Sequence, residues 1–368
     1  MDLPFCLLVL VLAAIGLVML LSASFPSAYL ETRSKNPLFY FTRQGIFDIM
    51  GIAAMLFIGK INYQRFRGAA KILLYVSIFM LALVIIPGNP LAVTRNNATR
   101  WLGVGDLFSF QPSEIAKMAI IIYFSDSISR KKDKMLTLKD GILPYVIWLA
   151  VTAGLVAVEP HLSGALLIAG AGAVLMLVGG IKWRYVFSVL GMAAGGAYFM
   201  LYVIGYNTSR IQYWLKPWED ARGKGYQLWQ SMITIGSGGL LGVGLGKSRQ
   251  KFLYLPEEHN DFIFAIICEE LGLIGATLIM LLFAALILRG YWIALHARDR
   301  FGSLLVVGVT TLIAMQTFLN IGVVTGLLPT TGISLPFFSY GGTALSMQLA
   351  EMGVVLSVSR QMRPTKAG

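Results

Sequence analysis

The amino-acid sequence predicts an all-α, polytopic membrane protein. Of its 368 residues, 57% are hydrophobic and only 13% are charged, and the mean hydropathy is +0.72. Apolar runs of about 20 residues, the length that spans a bilayer as a helix, recur along the chain. A helix satisfies its own backbone hydrogen bonds in lipid, and the period-two alternation of membrane β-barrel strands is absent from the sequence. These observations favour a single integral membrane domain, residues 1–368.

The apolar runs predict about ten transmembrane helices. Their approximate bounds are 4–24, 41–60, 69–87, 110–128, 141–159, 163–180, 184–205, 261–288, 302–326 and 336–359. The first run is too long for a signal peptide, and no basic residue precedes it, which favours a retained helix. A long polar connection, about 206–260, lies between the seventh and eighth predicted helices.

Lysine and arginine in the short connections predict the orientation, because these residues accumulate on the cytoplasmic side. With the N-terminus inside, the cytoplasmic connections hold basic clusters such as Arg130-Lys-Lys, whereas the short outer connections hold few basic residues. Both termini are therefore predicted to be cytoplasmic, and the 206–260 loop is predicted to be extracytoplasmic. We attribute the net charge of +12 to basic connections that meet anionic membrane lipids, and not to nucleic-acid binding.

The long loop contains candidates for phosphate binding. Arg210 lies among aromatic residues, in a segment suited to the headgroup layer or to a lipid phosphate. Lys247 and Arg249 follow a glycine-rich run whose backbone could approach a phosphate closely. The run nearly matches a nucleotide-binding P-loop, but Leu241 occupies the position of that motif's first glycine, so we reject a nucleotide site. The alternative for the run is a tightly packed re-entrant turn with solvated charges.

Asp261 lies where a polar segment changes to an apolar one. Glu257 to Asn260 precede it and a run beginning with Phe262 follows, so one side of the residue is wet and the other apolar. An aspartate at the start of a helix is often only an N-cap. From the pattern alone, capping and catalysis carry equal weight. Glu269 and Glu270, deeper in the same span, are expected to order a cavity rather than to react.

Further polar groups lie at or inside the predicted spans. Glu114 and Lys117 are three residues apart, so they share a helix face and can pair, either as a structural ion pair or as part of a cavity. Arg100 and Trp101 suit an interfacial anchor or contact with an anionic ligand. The Ser339 hydroxyl could line the outer cavity, although small residues around it also permit close helix packing.

Several of these segments together resemble the SEDS family (shape, elongation, division and sporulation), and most closely its FtsW and SpoVE members. The matching segments are Arg100-Trp-Leu-Gly, Gln111-Pro-Ser-Glu with Lys117, Arg210-Ile, Gly236-Ser-Gly-Gly-Leu, Gly244-Leu-Gly-Lys-Ser-Arg-Gln-Lys-Phe, Asp261-Phe-Ile-Phe, Glu269-Glu-Leu-Gly and Leu335-Pro-Phe with Ser339-Tyr-Gly-Gly. They occur in the family's order over nearly the whole chain. One departure is His161, which stands where the family often has aspartate, so no role is assigned to it.

The resemblance implies a peptidoglycan glycosyltransferase that polymerises lipid II into a growing lipid-linked glycan. It also implies the outer face of the bacterial cytoplasmic membrane as location and a class B penicillin-binding protein as partner. Asp261 would then be the base that takes a proton from the acceptor hydroxyl. The expected substrate contacts are Arg100, Trp101, Glu114, Lys117, Arg210, Lys247, Arg249 and Ser339, with the cations facing the undecaprenyl pyrophosphate leaving group.

Two other functions fit the same residues. A lipid II flippase would use the same cavity but would need a polar path across the membrane, and a non-enzymatic scaffold would only activate the penicillin-binding protein. The chain has no dense carboxylate cluster that requires a metal. A divalent cation, Mg or Mn, beside Asp261 would nevertheless suit a pyrophosphate leaving group.

Overall fold

The structure is a computed structural model. It describes residues 1–31, 35–86, 88–95, 98–104, 108–159, 161–185 and 208–362. The helices are α1 Leu3–Glu31, α2 Phe39–Lys60, α3 Arg65–Ile85, α4 Pro112–Lys131, α5 Leu143–Val158, α6 Leu162–Val178, α7 Thr208–Leu215, α8 Tyr226–Gly238, α9 Ile263–Leu295, α10 Arg300–Val324 and α11 Gly342–Arg360. Shorter helical turns cover Lys132–Leu136, Leu138–Ile142 and Pro217–Asp220.

Most predicted spans coincide with a helix. By length and apolar composition, six described helices can cross a membrane, and the 17-residue α6 is a shorter apolar helix. The chain is therefore a multi-pass membrane protein. The spans predicted at 110–128 and 336–359 coincide with α4 and α11, which are not among these six helices, and the span predicted at 184–205 lies almost entirely outside the described residues. The total of ten spans and the orientation of the termini therefore stay predictions. The last span begins later than expected, at Gly342, because residues 336–341 form a turn.

The expectation of an all-α chain is wrong between α3 and α4. Three short antiparallel strands form a sheet there, in the order β1 Ala92–Arg95, β2 Ala98–Val104 and β3 Phe108–Phe110. Val93 pairs with Trp101, and Leu102 pairs with Phe110. Aromatic and β-branched residues favour such cross-strand pairs, a local preference that the hydropathy reading overlooked. The fold is thus mostly helical, with a small sheet that carries Arg100 and Trp101.

Glycines permit the close packing of α2 against α11. A Cβ on Gly51 would collide with the side chain of Leu349, and a Cβ on Gly353 would collide with the backbone of Met55. The contacts run in register from Phe47 beside Gly342 to Gly59 beside Leu356, so the two helices are parallel. Small residues at such an interface let helix backbones approach closely, which replaces the hydrophobic driving force that lipid removes.

Helix α10 is the centre of the bundle. In its most apolar 18-residue window 72% of the residues are buried, against 22–44% in the other candidate spans. The end of the bundle that carries residues 226–262 and 327–341 is called the loop end here. At the opposite end, Asp299 caps α10 by accepting from the Gly302 N–H, and Tyr63 and Gln64 also donate to it. These bonds tie the loop before α10 to the start of α3.

Candidate active site at the loop end

Asp261 lies at the loop end, two residues before α9 begins. Phe262 occupies the N-cap position of that helix, so Asp261 does not cap it. Asn320 of α10 donates from its amide Nδ2 to the backbone oxygens of Asp261 and Ile333, at 2.7 Å each. The capping interpretation is therefore wrong, and the carboxyl group is held in place through its backbone.

Three other elements hold the turn that precedes Asp261. Ser27 of α1 donates to the carboxylate of Glu258, and the ring of Tyr40 in α2 stacks on His259 with centroids 4.6 Å apart. The Ser339 hydroxyl accepts from the Leu335 N–H at 2.8 Å and donates to the Asn260 oxygen at 2.8 Å. Both hydrogen bonds of Ser339 thus serve the fold of the turn, and its predicted contact with substrate stays a prediction.

The electrostatic surroundings of Asp261 suit a base that works near neutral pH. Burial, reinforced by the negative charge of Glu257, raises the pKa of Asp261 to about 7, against the opposing charges of Arg100 and His259. The residue is half-buried, and its Oδ2 lies so close to Gly332 that a Cβ there would be 3.1 Å away. A carboxyl group with this pKa exchanges protons readily at pH 7.

A cavity of about 430 Å³ adjoins the Asp261 carboxyl group. Its walls come from α7, from the start of α8 and from the segment after α10. They carry Tyr213, Trp214, Lys224, Gln227, Thr330 and Thr331, with Gly332 beside Asp261. These wall residues were not predicted from the sequence, because they are separated along the chain and share no recognisable spacing. Aromatic rings in a loop predicted to lie at the membrane were the available signal.

Arg100 joins the sheet to the same site. Its Nε donates to the backbone oxygen of Glu159, at the C-terminus of α5, at 3.3 Å. Burial raises the pKa of the Glu159 carboxyl to about 8, against the charge of Arg100. Burial and the charges of Arg100 and Lys117 lower the pKa of His161 to about 3, so this histidine is neutral at pH 7. The predicted residue Trp101 is half-buried on the same strand.

Glu114 and Lys117 form the predicted ion pair. The Lys117 Nζ lies 2.8 Å from Glu114 Oε2, and both residues are buried in the first turns of α4. Both also act electrostatically on Glu351 of α11, whose buried carboxyl oxygens have no hydrogen-bond partner among the described residues. Glu351 was not predicted from the sequence, although an acidic residue inside an apolar span is itself a signal of a polar interior.

The glycine-rich run packs against a break in α9. Gly272 has a φ of 66° and interrupts the helix. The N–H groups of Val243 and Gly244 donate to the freed oxygens of Glu269 and Glu270, at 2.9 and 3.0 Å. The run is therefore a packed turn, as the alternative predicted, and its re-entry into the membrane and its contact with a phosphate stay predictions.

The buried carboxylates of Glu269 and Glu270 stabilise this turn. Ser248 donates to both carboxylates, through its hydroxyl to Glu269 and its N–H to Glu270. The buried Lys251 Nζ lies 3.0 Å from Glu270 Oε1 and also donates to the Ser22 hydroxyl of α1. The two acids therefore order the loop, which agrees with a structural rather than a reactive role.

The remaining predicted contacts do not converge on Asp261 in the described part of the chain. Lys247 and Arg249 are exposed on the glycine-rich turn, and Arg249 uses its N–H to bond Glu269. The side chain of Arg210 lies outside the described residues. Their contacts with substrate stay predictions.

No group of three or more His, Cys, Asp or Glu side chains among the described residues could hold a metal ion. Among the described residues, Glu257 is the acidic neighbour whose charge acts on Asp261. A divalent cation at Asp261 therefore stays a prediction, and no chemical step below depends on it.

Comparisons with known proteins agree with this architecture. The chain is 42% identical over 364 residues to stage V sporulation protein E of Bacillus subtilis, covering 98% of each chain. It is 39% identical over 365 residues to the probable peptidoglycan glycosyltransferase FtsW of Geobacter metallireducens, covering 99% of this chain and 96% of that relative.

Solved structures are similar over the same extent. The rod shape determining protein RodA of Thermus thermophilus superposes with a TM-score of 0.71 at 25% identity, covering 99% of this chain and 98% of RodA. A chain of a peptidoglycan synthase complex, studied for the coordination of polymerization and crosslinking, superposes with a TM-score of 0.81 at 25% identity, covering 98% of this chain and 97% of that chain. The model of the cell cycle protein family FtsW/RodA/SpoVE matches residues 2–364, and this chain belongs to that family.

Proposed function

We propose that the protein is a peptidoglycan glycosyltransferase that polymerises lipid II at the outer face of the bacterial cytoplasmic membrane. The observation that carries this proposal is the environment of the Asp261 carboxyl group. The group borders a cavity, interacts electrostatically with Arg100 and has a pKa of about 7. The name of the FtsW relative, a probable peptidoglycan glycosyltransferase, supports the same reaction class.

In the proposed reaction, Asp261 takes the proton from the 4-hydroxyl of the acceptor's terminal N-acetylglucosamine. The hydroxyl oxygen forms a bond to the anomeric carbon of the donor sugar. The bond from that carbon to the undecaprenyl pyrophosphate breaks, and its electron pair leaves with the diphosphate. A single base implies direct displacement, so the anomeric configuration is inverted.

The diphosphate leaves with added negative charge, which cations stabilise in the transition state. Arg100 is a candidate for this stabilising cation, because its charge acts on Asp261 in the structure. Further candidates from the sequence are Arg210, Lys247 and Arg249. The buried pair Glu114 and Lys117, with Trp101, is proposed to shape the groove that holds the substrate. Ser339 is proposed to act through the turn that positions Asp261.

We also propose that the enzyme works with a class B penicillin-binding protein. The similarity to a chain of a peptidoglycan synthase complex that coordinates polymerization and crosslinking supports such a partner. We place the loop end outside the membrane, as the basic residues in the opposite connections predict, and lipid II and the partner's extracytoplasmic domain would meet there. The partner crosslinks strands, whereas this chain would make them.

The first prediction concerns the base itself. With purified protein, its cognate partner and lipid II, wild type is expected to make glycan polymer, and Asp261→Asn is expected to lose roughly 100-fold or more in rate, because general-base catalysis contributes about that much. Polymer is measured by gel electrophoresis of labelled product. The matched control is Glu219→Gln, which neutralises an exposed acid of the same loop that pairs with Lys216.

Polymer from Asp261→Asn at the wild-type rate would contradict the catalytic assignment. Transport of lipid II in liposomes without any polymer would indicate a flippase. Activation of the partner by Asp261→Asn, with no polymer even from wild type, would indicate a scaffold.

A further inference from the structure

Resting on the proposed glycosyltransferase function, we infer that the cavity beside Asp261 is the acceptor subsite and binds the uncharged terminal amino sugar. The diphosphate of the donor lies instead on the Arg100 side of the same carboxyl group. The sequence leaves the two subsites undistinguished, because donor and acceptor both carry a lipid and a diphosphate.

The chemistry of the cavity walls favours a sugar. Tyr213 and Trp214 offer aromatic rings, Thr330 and Thr331 offer hydroxyl groups, and Gln227 offers an amide. A sugar ring presents apolar C–H faces and several hydroxyl groups, which match this combination of partners. The volume of about 430 Å³ lies within the range of roughly 300–1,000 Å³ typical of small-molecule sites.

The aromatic ring of Trp214 is also preorganised for stacking against a flat ligand face. The indole N–H of Trp214 donates to the Gly326 oxygen at 2.8 Å, which fixes the ring against the end of α10. A ring that is already immobile loses little side-chain entropy when a ligand stacks on it.

The charges of the described residues that line the cavity do not suit a diphosphate. Among the described residues that line it, Lys224 is the cation and Asp261 is an acid. A diphosphate placed there would meet the carboxylate at short range, and Lys224 is the one described cation of the lining that could offset the repulsion. Arg100 does not belong to this lining. Its guanidinium group bonds to Glu159 at the end of α5, yet its charge lowers the pKa of Asp261.

The proposed reaction requires this division of the two substrates. Asp261 must touch the acceptor hydroxyl, since it receives that proton, so the acceptor sugar must occupy space in contact with the carboxyl group. The donor needs only its anomeric carbon beside the acceptor oxygen, and its diphosphate gains negative charge as the bond breaks. A cation that acts on the base from outside the cavity lining, as Arg100 does, can stabilise that charge.

The test separates the two substrates chemically, in the full-length protein with its partner. A lipid II whose 4-hydroxyl is capped with galactose can act only as donor. A lipid II analogue with a carbon in place of the anomeric oxygen cannot lose its diphosphate, so it can act only as acceptor. Together they give one coupled product, and the KM of each is measured with the other saturating.

Thr331→Val and Gln227→Leu are each expected to raise the acceptor KM roughly fivefold, the effect of one lost hydrogen bond, and to leave the donor KM unchanged. Arg100→Gln is expected to raise the donor KM or lower kcat without changing the acceptor KM. Thr325→Val is the matched control. Thr325 is the C-cap residue of α10, and its hydroxyl donates to the Ile321 oxygen of that helix, outside the cavity lining.

Lys224→Met tests the charge argument at an exposed position, where the substitution does not threaten the fold. The donor KM should stay at the wild-type value. A rise in the donor KM for Lys224→Met or Thr331→Val, or an equal rise in both KM values, would overturn the inference. No coupled product from wild type would instead overturn the proposed function, so the two failures are distinguishable. Each variant must copurify with the partner before its constants are compared.

Discussion

At the scale of single residues, Asp261 is subject to opposing influences. Burial and Glu257 disfavour its charged form, whereas Arg100 and His259 favour it, and the pKa settles at about 7. A carboxyl group with its ordinary pKa would be a weak base at pH 7, and one with a much higher pKa would already be protonated. The surroundings thus match the group to proton transfer at neutral pH.

The second prediction is a pH profile for polymerisation. Since the base acts only when deprotonated, kcat/KM should fall about tenfold for each pH unit below about 7 and reach a plateau above it. The profile is measured with lipid II at subsaturating concentration. A flat profile between about pH 5 and about pH 8 would contradict the role of Asp261.

The raised pKa of Asp261, which favours catalysis, lowers the stability of the folded protein at neutral pH. The folded-state pKa of about 7 exceeds the ordinary value of 3.8, so the folded protein loses stability as the pH rises from about 4 through about 7. Asp261→Asn cannot ionise. It should therefore raise Tm relative to wild type, and by more at about pH 8 than at about pH 5.

The third prediction concerns Gly332, which lies against the base. A Cβ there would be 3.1 Å from Asp261 Oδ2, so Gly332→Ala must displace the carboxyl group by a few tenths of an ångström. Polymerisation should fall roughly tenfold, because small displacements of a reacting group are costly. Tm should barely change, since Gly332 is exposed. Gly236→Ala is the control, because nothing lies within 4 Å of its added Cβ. Equal activity of both variants would argue against this contact.

At the scale of elements, the break in α9 and the glycine-rich turn form one unit. Each supplies the hydrogen bonds that the other lacks, since Leu273 and Ile274 donate to the oxygens of Gly239 and Leu240. Unsatisfied backbone groups would be costly at the edge of a membrane. The break is therefore stable only while the turn is inserted into it.

The fourth prediction tests that unit. Gly242 has a φ of 78°, and a Cβ on it would overlap the Glu270 oxygen. Gly242→Ala is expected to cost about 3 kcal/mol. Its Tm should fall, and trypsin should cut faster at the exposed Lys247. Gly154→Ala in α5, where an added Cβ meets nothing within 4 Å, should keep or raise Tm. Wild-type protease resistance in Gly242→Ala would refute the insertion.

At the scale of the whole molecule, the two ends of the bundle differ in their polar chemistry. The loop end gathers Asp261, Arg100 and the cavity, whereas the opposite end holds ion pairs such as Arg289 with Asp2, at 2.7 Å. Basic residues in the connections of the opposite end predict that it faces the cytoplasm. Substrate would then reach Asp261 from outside the cell.

The fifth prediction tests this orientation in a variant with Cys6 and Cys268 replaced by alanine. Lys247→Cys should react with a membrane-impermeant thiol reagent in intact cells. Arg130→Cys, at an equally exposed position of the opposite end, should react only after permeabilisation. The reverse labelling pattern would place the loop end in the cytoplasm and exclude the proposed extracytoplasmic reaction.

Features that depend on local pattern could be predicted from the amino-acid sequence alone. Hydropathy located the helices, the three-residue spacing of Glu114 and Lys117 predicted their pair, and the change from polar to apolar residues marked Asp261. These patterns can be recognised in the linear sequence, because helix periodicity and lipid exposure act on neighbouring residues. The small sheet that carries Arg100 escaped the same reading, since short strands leave a weak signal.

The residues that surround Asp261 could be identified only from the folded chain. Trp214 and Thr331, which are distant in sequence, line the same cavity. The positive charge that acts on Asp261 comes from Arg100 on a strand. Glu351 of the last helix interacts electrostatically with the ion pair of α4. The glycine-rich run also needed α9 to show that it is a packed turn. Contacts of this kind depend on how distant helices pack. The packing energy is distributed over many contacts, so no single segment of the sequence reveals it.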